Sequence, residues 1–389
     1  MPSNNGFLAL SSGVFLKELE FAAVYSAVTD ELYEVDRSGF SELSLCDGTL
    51  AVESSRFPRT FLEFCLEEGL LQRIAVPVRR PVPIGRNETP SLRYLLLEVT
   101  DRCNLACRHC YLGETRGLEL AVEDLRGVMA QFDDMGGLRL VVTGGEPTLH
   151  PGFADINRMM ADRLCRTVLV TNGTLLTEEL CEALEFHEVQ VSLDGMERGH
   201  DGIRGAGSFY RALEGIECLR RAGGQLSVAT MIHRENVKEL GELDTMVRGL
   251  GAVSWTLDVP CEAGMITSGG EGVVPAELEE AADAMGRAFG SEQHRPSGDY
   301  ACGAHLACLK AGGVLSKCGF YEGWNGGPVS RGLREAWLAL PRMKLEELDC
   351  RCEHLSECGG GCRFRAETRF GRTGPDPLKC AQFGVPLPG

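Results

Sequence analysis

The chain has 389 residues, and its 56 Asp and Glu outnumber its 39 Lys and Arg, which gives a formal net charge of −17. Lys and Arg provide most of the affinity of proteins for phosphate backbones, so this charge argues against a nucleic-acid partner. No apolar run reaches the roughly 18 residues that span a bilayer, and the polar start of the chain does not resemble a signal peptide. We therefore expect a cytoplasmic protein of two or three domains with no membrane partner.

Residues 1–76 predict a small α+β domain. Two β-prone runs within 21–36 surround a turn at Thr29-Asp30, which is typical of a hairpin. Two helical patterns follow, the first marked by Phe40 and Leu43 and the second by the apolar residues of 61–66. Four prolines between 77 and 90 then predict a stiff, extended linker over 77–91 rather than a packed element.

Residues 92–290 alternate strand-like apolar runs with segments of helical periodicity. The strand-like runs are 94–99, 138–142, 167–170, 189–193, 226–232 and 253–259. This alternation predicts an α/β fold with a parallel sheet, and right-handed crossovers leave a doubly wound sheet or a β/α barrel as the compact solutions. In either arrangement, a ligand binds at the carboxyl ends of the strands.

Residues 291–389 form a cysteine-rich segment in which this alternation stops. Only 333–338 and 344–348 have a helical pattern, and eight cysteines fall between 302 and 380. Because so little apolar sequence cannot build an ordinary core, we expect metal to cross-link this segment.

Cys103, Cys107 and Cys110 directly follow the first strand of the β/α region. A reducing cytoplasm makes metal ligation the default interpretation of such cysteines. Three thiolates are one short of a closed site, and a 4Fe–4S cluster bound by them leaves one iron open to a small molecule. Zinc is the alternative, and it would recruit a fourth ligand, for which His109 is available in principle.

This cysteine loop resembles the CxxxCxxC motif of the radical S-adenosylmethionine (SAM) enzymes. Residues of the expected types follow the next strands in the order of that family: Gly144, Gly145, Glu146, Pro147, Asn172, Ser192, Asp194 and Arg204. The resemblance implies a partial (β/α)6 TIM-like barrel in which these residues and His109 contact SAM. Glu146 or nearby carbonyl groups would accept from the SAM amino group, and Arg204 would pair with the SAM carboxylate. The cluster would cleave SAM reductively to a 5′-deoxyadenosyl radical, and no further catalytic residue is assigned.

The C-terminal segment resembles the SPASM extension of such enzymes, which houses auxiliary iron–sulfur clusters. Cys302, Gly313 and Cys318 match the pattern C-x10-G-x4-C. The resemblance implies two auxiliary 4Fe–4S clusters, and so three clusters in all. The first would be held by Cys302, Cys308, Cys318 and Cys362, and the second by Cys350, Cys352, Cys358 and Cys380.

Three points about the cysteines stay open from the sequence. The usual CxxC pair is one residue shorter here, so either Cys350 or Asp349 completes the second cluster. Cys261, just past the sixth strand, is an extra ligand, a redox-active thiol or an ordinary packed cysteine. Closely spaced cysteines also suit a zinc ribbon.

The N-terminal domain resembles the small winged-helix domains that recognise leader segments of ribosomally made peptides. Such a domain captures a disordered leader as an added strand at an exposed sheet edge. The resemblance implies a maturase that abstracts hydrogen from a precursor peptide to form a thioether or carbon–carbon cross-link. A reduced flavodoxin or a ferredoxin-type protein would supply the electrons.

Three other functions remain compatible with the sequence. One is the maturation of a folded protein, as in sulfatase-maturating enzymes, although Gly319 follows Cys318 where those enzymes carry an acidic residue. The second is a radical SAM oxidoreductase acting on a small molecule. The third is a non-catalytic iron–sulfur electron carrier or scaffold.

Overall fold

The computed structural model describes residues 6–266, 277–290 and 299–388. The predicted boundary at 290/291 is followed by residues 291–298, which lie outside this range. Within the described residues, none of the helices is both long enough and apolar enough to cross a membrane.

The N-terminal domain contains two small sheets and two helices. One sheet has the antiparallel order β5-β1-β6, and the other has the order β4-β3-β2-β7. The strands are β1 (Phe7–Leu10), β2 (Val14–Glu18), β3 (Ala22–Ser26), β4 (Glu31–Glu34), β5 (Asp47–Ala51), β6 (Leu71–Ile74) and β7 (Ile84–Arg86). The helices are α1 (Arg37–Leu43) and α2 (Arg59–Glu67). The predicted hairpin is β3–β4, and both helices fall where their patterns predicted them.

The proline-rich stretch differs from the unpacked linker that its composition predicted. Within it, β7 pairs in parallel with β2 and places Ile84 opposite Leu16. Gly85 lies so close to Gly136 that a Cβ on Gly85 would stand 2.3 Å from the Gly136 Cα. Proline cannot donate to a sheet ladder, but the three residues between Pro83 and Asn87 are free of it and form a short edge strand.

The β/α region contains the six predicted strands, all parallel and adjacent in chain order. They are β8 (Tyr94–Thr100), β9 (Arg139–Gly144), β10 (Arg166–Thr171), β11 (Glu188–Ser192), β12 (Leu226–Met231) and β13 (Ser254–Asp258). The helices that follow them are α3 (Val122–Asp134), α4 (Phe153–Met160), α5 (Glu178–Glu182), α6 (Glu197–Arg204), α7 (Ser208–Arg221), α8 (Leu240–Gly249) and α9 (Leu278–Met285). Strands that follow one another in chain order define a partial barrel rather than a doubly wound sheet.

The C-terminal segment adds strands to the barrel sheet, which the sequence did not predict. Strand β14 (Leu306–Leu309) pairs in parallel with β8, and β15 (Val314–Ser316) and β16 (Asn325–Pro328) follow as antiparallel strands. The helices are α10 (Leu333–Ala339), α11 (Leu355–Cys358), α12 (Arg363–Phe370) and α13 (Pro377–Gln382). Helix α10 confirms the first predicted helical stretch, and only residues 345–347 of the second form a turn of 3-10 helix.

The N-terminal domain is anchored at the amino-terminal ends of the barrel strands. Lys17 is 1% exposed and donates hydrogen bonds to the carbonyl oxygens of Gly137 (2.9 Å) and Leu164 (2.6 Å), just before β9 and β10. Arg166, the first residue of β10, donates to the carbonyls of Ala27 and Val28 at 2.9 and 3.0 Å. The domain therefore sits at the opposite end of the strands from the predicted ligand site.

Candidate active site

A cavity of about 270 Å³ lies at the carboxyl ends of the barrel strands. The cysteine loop and the ends of β9 to β13 supply most of its wall. Of the predicted site residues, those that line it are Cys103, Cys107, His109, Cys110, Gly144, Gly145, Asn172, Ser192, Asp194 and Arg204. The structure therefore brings together the residues of the SAM-type motifs, except for Glu146 and Pro147.

The cysteine loop is held in place by its own backbone and by β10. The Cys110 amide donates to the Cys107 carbonyl (3.1 Å), and the Cys103 sulfur accepts from the Leu105 amide (3.4 Å). The Asn172 side-chain amide donates to Asn104 Oδ1 at 2.8 Å. Burial raises the pKa of the Cys103 thiol and raises that of Cys107 to about 11. A bound cation would favour their thiolate forms, which are the ligating forms.

Gly144 and Gly145 let β9 approach the segment that leads into Cys103. A Cβ on Gly144 would lie 2.2 Å from the Thr100 carbonyl oxygen, and one on Gly145 would lie 2.2 Å from that of Arg102. The Gly145 amide donates to the Thr100 carbonyl at 2.8 Å. Side chains at these two positions would push the cysteine loop away from the strand ends.

Glu146 has a different position from the one that the sequence predicted. Its carboxylate is fully buried and accepts from Thr148 Oγ1 (2.8 Å), Thr171 Oγ1 (2.8 Å) and the Asn172 amide (2.9 Å). Neither Glu146 nor Pro147 lines the cavity. Glu146 therefore fixes the end of β10, and the acceptors that remain for an ammonium group here are backbone carbonyls.

Asp194 and Arg204 form a buried ion pair at the end of β11. Asp194 is fully buried; its Oδ2 accepts from Arg204 Nε, and its Oδ1 accepts from the Met231 amide at 2.6 Å. Burial alone would raise the pKa of Asp194, but Arg204 and the nearby histidines lower it to about 2. Asp194 therefore already neutralises the guanidinium of Arg204, which was predicted to pair with the SAM carboxylate.

His109 is a neutral side chain in the cavity wall. Its Nε2 lies 3.6 Å from Asp194 Oδ2, and burial lowers the pKa of His109 to about 4. Its buried Nδ1 has no hydrogen-bond partner among the described residues. This nitrogen is therefore available to a ligand.

The first predicted auxiliary set converges, and Cys261 joins it. Cys261 and Cys302 both lie next to Cys362, and this proximity lowers the pKa of Cys362 and raises those of its two neighbours. Burial and Glu98 raise the pKa of Cys308, and the neighbouring Cys318 contributes to the shift. Cys261 also lines the large cavity. It is thus the thiol that connects the cavity with the first auxiliary set.

The second predicted auxiliary set surrounds a separate, smaller cavity. Cys350, Cys352, Cys358 and Cys380 all line it. The Asp349 carboxylate instead accepts a hydrogen bond from Thr373 Oγ1 at 2.5 Å and does not line this cavity. Of the two alternatives that the sequence left open, the geometry therefore favours Cys350.

None of these groups is arranged around a single ion. Across residues 6–266, 277–290 and 299–388, no set of three or more His, Cys, Asp or Glu side chains could hold one metal ion as it stands. Thiolates around a four-iron cluster bind different iron atoms and so stand farther apart than the ligands of one ion. The donor chemistry therefore fits iron–sulfur clusters, and the glycine cradle and the unpartnered His109 Nδ1 fit SAM beside the first of them.

Several residues of the cavity wall were not predicted from the sequence. Thr256 and Asp258 come from β13, Tyr111 directly follows Cys110, and Phe320 comes two residues after Cys318. Asp258 carried a usable signal, because it ends a strand in the same way as Asp194. Phe320 carried none, since it reaches the cavity only through the fold of the C-terminal segment.

The comparisons with known proteins agree with this geometry. Residues 97–247 match the Radical SAM superfamily model. An AdoMet-dependent heme synthase of Methanosarcina barkeri is 36% identical over 175 residues, which cover 43% of this chain and 50% of that protein. The mycofactocin maturase MftC of Mycobacterium tuberculosis is 29% identical over 337 residues, which cover 74% of this chain and 82% of the maturase.

Among solved structures, Streptococcus suis SuiB superimposes with a TM-score of 0.68 at 14% identity. The match covers 94% of this chain and 98% of SuiB, which has also been solved bound to its precursor peptide SuiA. At this identity, the likeness shows the fold alone. The chain spans about half the length of the first curated relatives that it matches.

The matched residues define one domain within the chain. The chain carries a radical SAM domain, and this domain implies SAM and one 4Fe–4S cluster as cofactors. The mycofactocin maturases match about three quarters of the chain, well beyond this domain.

Proposed function

We propose that the chain is a radical SAM maturase that cross-links a ribosomally made precursor peptide through a thioether or carbon–carbon bond. The observation that carries this proposal is the cavity, which has the Cys103 loop on one wall and Cys261, in contact with a second thiol group, on another. When bound, SAM and the first cluster would supply the chemistry that removes a hydrogen atom from the substrate. The strand ends would position SAM, and the walls would exclude water.

Two auxiliary clusters are part of the proposal. The first would be held by Cys302, Cys308, Cys318 and Cys362, and the second by Cys350, Cys352, Cys358 and Cys380. Forming a cross-link removes two hydrogens, so one electron remains after the first hydrogen atom has left. An auxiliary cluster next to the cavity would accept that electron, and a reduced flavodoxin or ferredoxin-type protein would drive SAM cleavage. These oxygen-sensitive groups suit a cytoplasmic location.

The N-terminal domain would hold the leader at the free edge of β4. Strand β4 ends its sheet, and its outer edge pairs with no other strand in the described part of the chain. Tyr33 packs against Phe64 of α2 with ring centroids 5.5 Å apart, and Phe64 is 37% exposed. The exposed Glu31 and Glu34 flank this apolar spot. A leader strand with an apolar residue between basic residues would complement it.

A small-molecule oxidoreductase is the second candidate, because the heme synthases match the radical SAM domain. Their similarity covers under half of this chain, whereas the similarity to the mycofactocin maturase extends over 74% of it. Counterparts of the C-terminal cysteines should therefore be sought in maturases.

The test is anaerobic co-expression with the short peptides encoded beside the gene, followed by mass spectrometry. The control is the triple variant Cys103→Ala, Cys107→Ala and Cys110→Ala. We expect one peptide to lose two hydrogens per cross-link with the native chain only, and fragmentation to locate the bond. If every peptide stays unchanged while the preparation still cleaves SAM, the substrate is not such a peptide.

A further inference from the structure

Two carboxylates line the cavity in the described part of the chain, Asp194 and Asp258. They differ in what their oxygens already bind. Both oxygens of Asp194 accept hydrogen bonds within the protein, one of them from a buried guanidinium. Asp194 is therefore an anion held in place by the protein, with both of its oxygens already engaged.

Asp258 ends β13 and keeps one oxygen open. Its Oδ1 accepts from the Val259 amide (2.8 Å) and from Arg365 Nη1 (2.8 Å). No hydrogen bond from the described part of the chain reaches Oδ2, and the side chain is 44% exposed because it borders the cavity. The surrounding protein raises the pKa of Asp258 by burial, and the nearby Arg365 opposes this shift only in part.

The position of Asp258 is fixed from the C-terminal segment. Arg365 of α12 also donates from Nε and Nη2 to Asp376, at 3.1 Å each. Asp376 in turn accepts from the Cys362 amide at 2.6 Å. This chain of contacts holds the carboxylate at the wall where the cavity meets the first auxiliary cysteine set.

The other titratable groups of the wall are poorer proton acceptors. The Tyr111 hydroxyl donates to Glu98 at 3.0 Å, and burial raises its pKa. Cys261 lies next to Cys362 of the first auxiliary set, and its pKa is raised. His109 lies within the cysteine loop, with its Nε2 3.6 Å from Asp194 Oδ2, on the side of the cavity assigned to SAM. Gly319, which follows Cys318, has no side chain to offer.

We propose that Asp258 is the general base of the cross-linking step. This inference rests on the proposed function. The substrate loses a hydrogen atom from carbon to the SAM-derived radical, and the attacking group X–H then bonds to that carbon. As the C–X bond forms and the X–H bond breaks, the proton passes to Asp258 Oδ2. The remaining electron leaves to a one-electron acceptor of the oxidised iron–sulfur class.

The test compares Asp258→Asn with the native chain. The substrate is the unmodified form of the peptide that the co-expression experiment shows to be cross-linked, prepared with deuterium on the carbon that loses hydrogen. The amide keeps an oxygen for Arg365 but cannot take a proton. Iron content and peptide affinity show whether the variant is intact. Asp134→Asn, an exposed carboxylate on α3, is the matched control, and Asp258→Glu tests rescue by a longer carboxylate.

We expect Asp258→Asn to keep its iron, its peptide affinity and deuterium transfer into 5′-deoxyadenosine. Its cross-linked product per 5′-deoxyadenosine should fall by at least about tenfold, as expected for the loss of a general base. Asp258→Glu should recover part of this ratio. An unchanged ratio in Asp258→Asn overturns the base assignment and leaves the proposed function intact, and so does a parallel loss of deuterium transfer and product. A native chain that modifies no peptide contradicts both.

Discussion

The separation between the leader edge and the cavity sets a minimum spacer in the substrate. Strand β4 begins directly after Asp30, which pairs with Arg139 at the first residue of β9. The cavity begins at the other end of β9, at Gly144. Six strand residues span roughly 20 Å at about 3.3 Å per residue. A peptide that runs from β4 to the cavity must also go around the helix layer of the barrel. This layer is about 10 Å thick, and the peptide crosses that thickness twice, once outward and once inward.

These lengths add up to roughly 35–40 Å, or about 11–12 residues of extended chain. Spacers between the leader segment and the first modified residue should therefore stop supporting cross-linking below about six residues, which cover the straight-line length alone. The assay is product formation by mass spectrometry across a series of Gly-Ser spacers, with peptide affinity measured in parallel. Affinity should stay constant while product disappears. Efficient modification with a spacer of two or three residues would refute the placement of the leader.

Three substitutions test other parts of the site. Gly145→Ala should lose the iron held by the radical SAM loop, because its Cβ would meet a carbonyl oxygen at 2.2 Å, while Gly127→Ala, with nothing within 4 Å, should bind iron normally. Cys350→Ser should lose iron from the second auxiliary site, whereas Asp349→Asn should retain it; iron analysis and absorbance spectra decide. Asp194→Asn should lower the free energy of unfolding by about 3–5 kcal/mol, because it leaves a buried guanidinium unpaired. A change below 1 kcal/mol in denaturant melts would contradict that ion pair.

Much of the barrel could be predicted because its signals are local. Each strand is a compact apolar run, and the glycines and polar residues after the strands mark its carboxyl edge. The hairpin β3–β4 and the helix α10 were predictable for the same reason. The apolar runs do not show that neighbouring strands of the sheet follow one another in the chain, since this order depends on pairing between distant segments.

The missed features depend on contacts between distant parts of the chain. Strand β14 has an apolar run of only four residues, and its partner β8 lies about 200 residues earlier. Helix α12 is rich in arginine and lacks an apolar period, so its sequence gives no helical signal. Hydrogen bonds of Arg363 and Arg365 hold it in place instead of an apolar face. The burial of Glu146 was hidden, since its acceptor role is satisfied by residues of a different strand.

The most direct test of the central claim is one anaerobic reaction of the reconstituted protein with SAM, a strong reductant and the candidate peptide. It quantifies 5′-deoxyadenosine and the peptide mass together. We expect the native protein to form 5′-deoxyadenosine in proportion to the cross-links, with two hydrogens lost from the peptide per cross-link. Cys107→Ala should form neither 5′-deoxyadenosine nor cross-linked peptide. A protein that binds iron but forms no 5′-deoxyadenosine would contradict it.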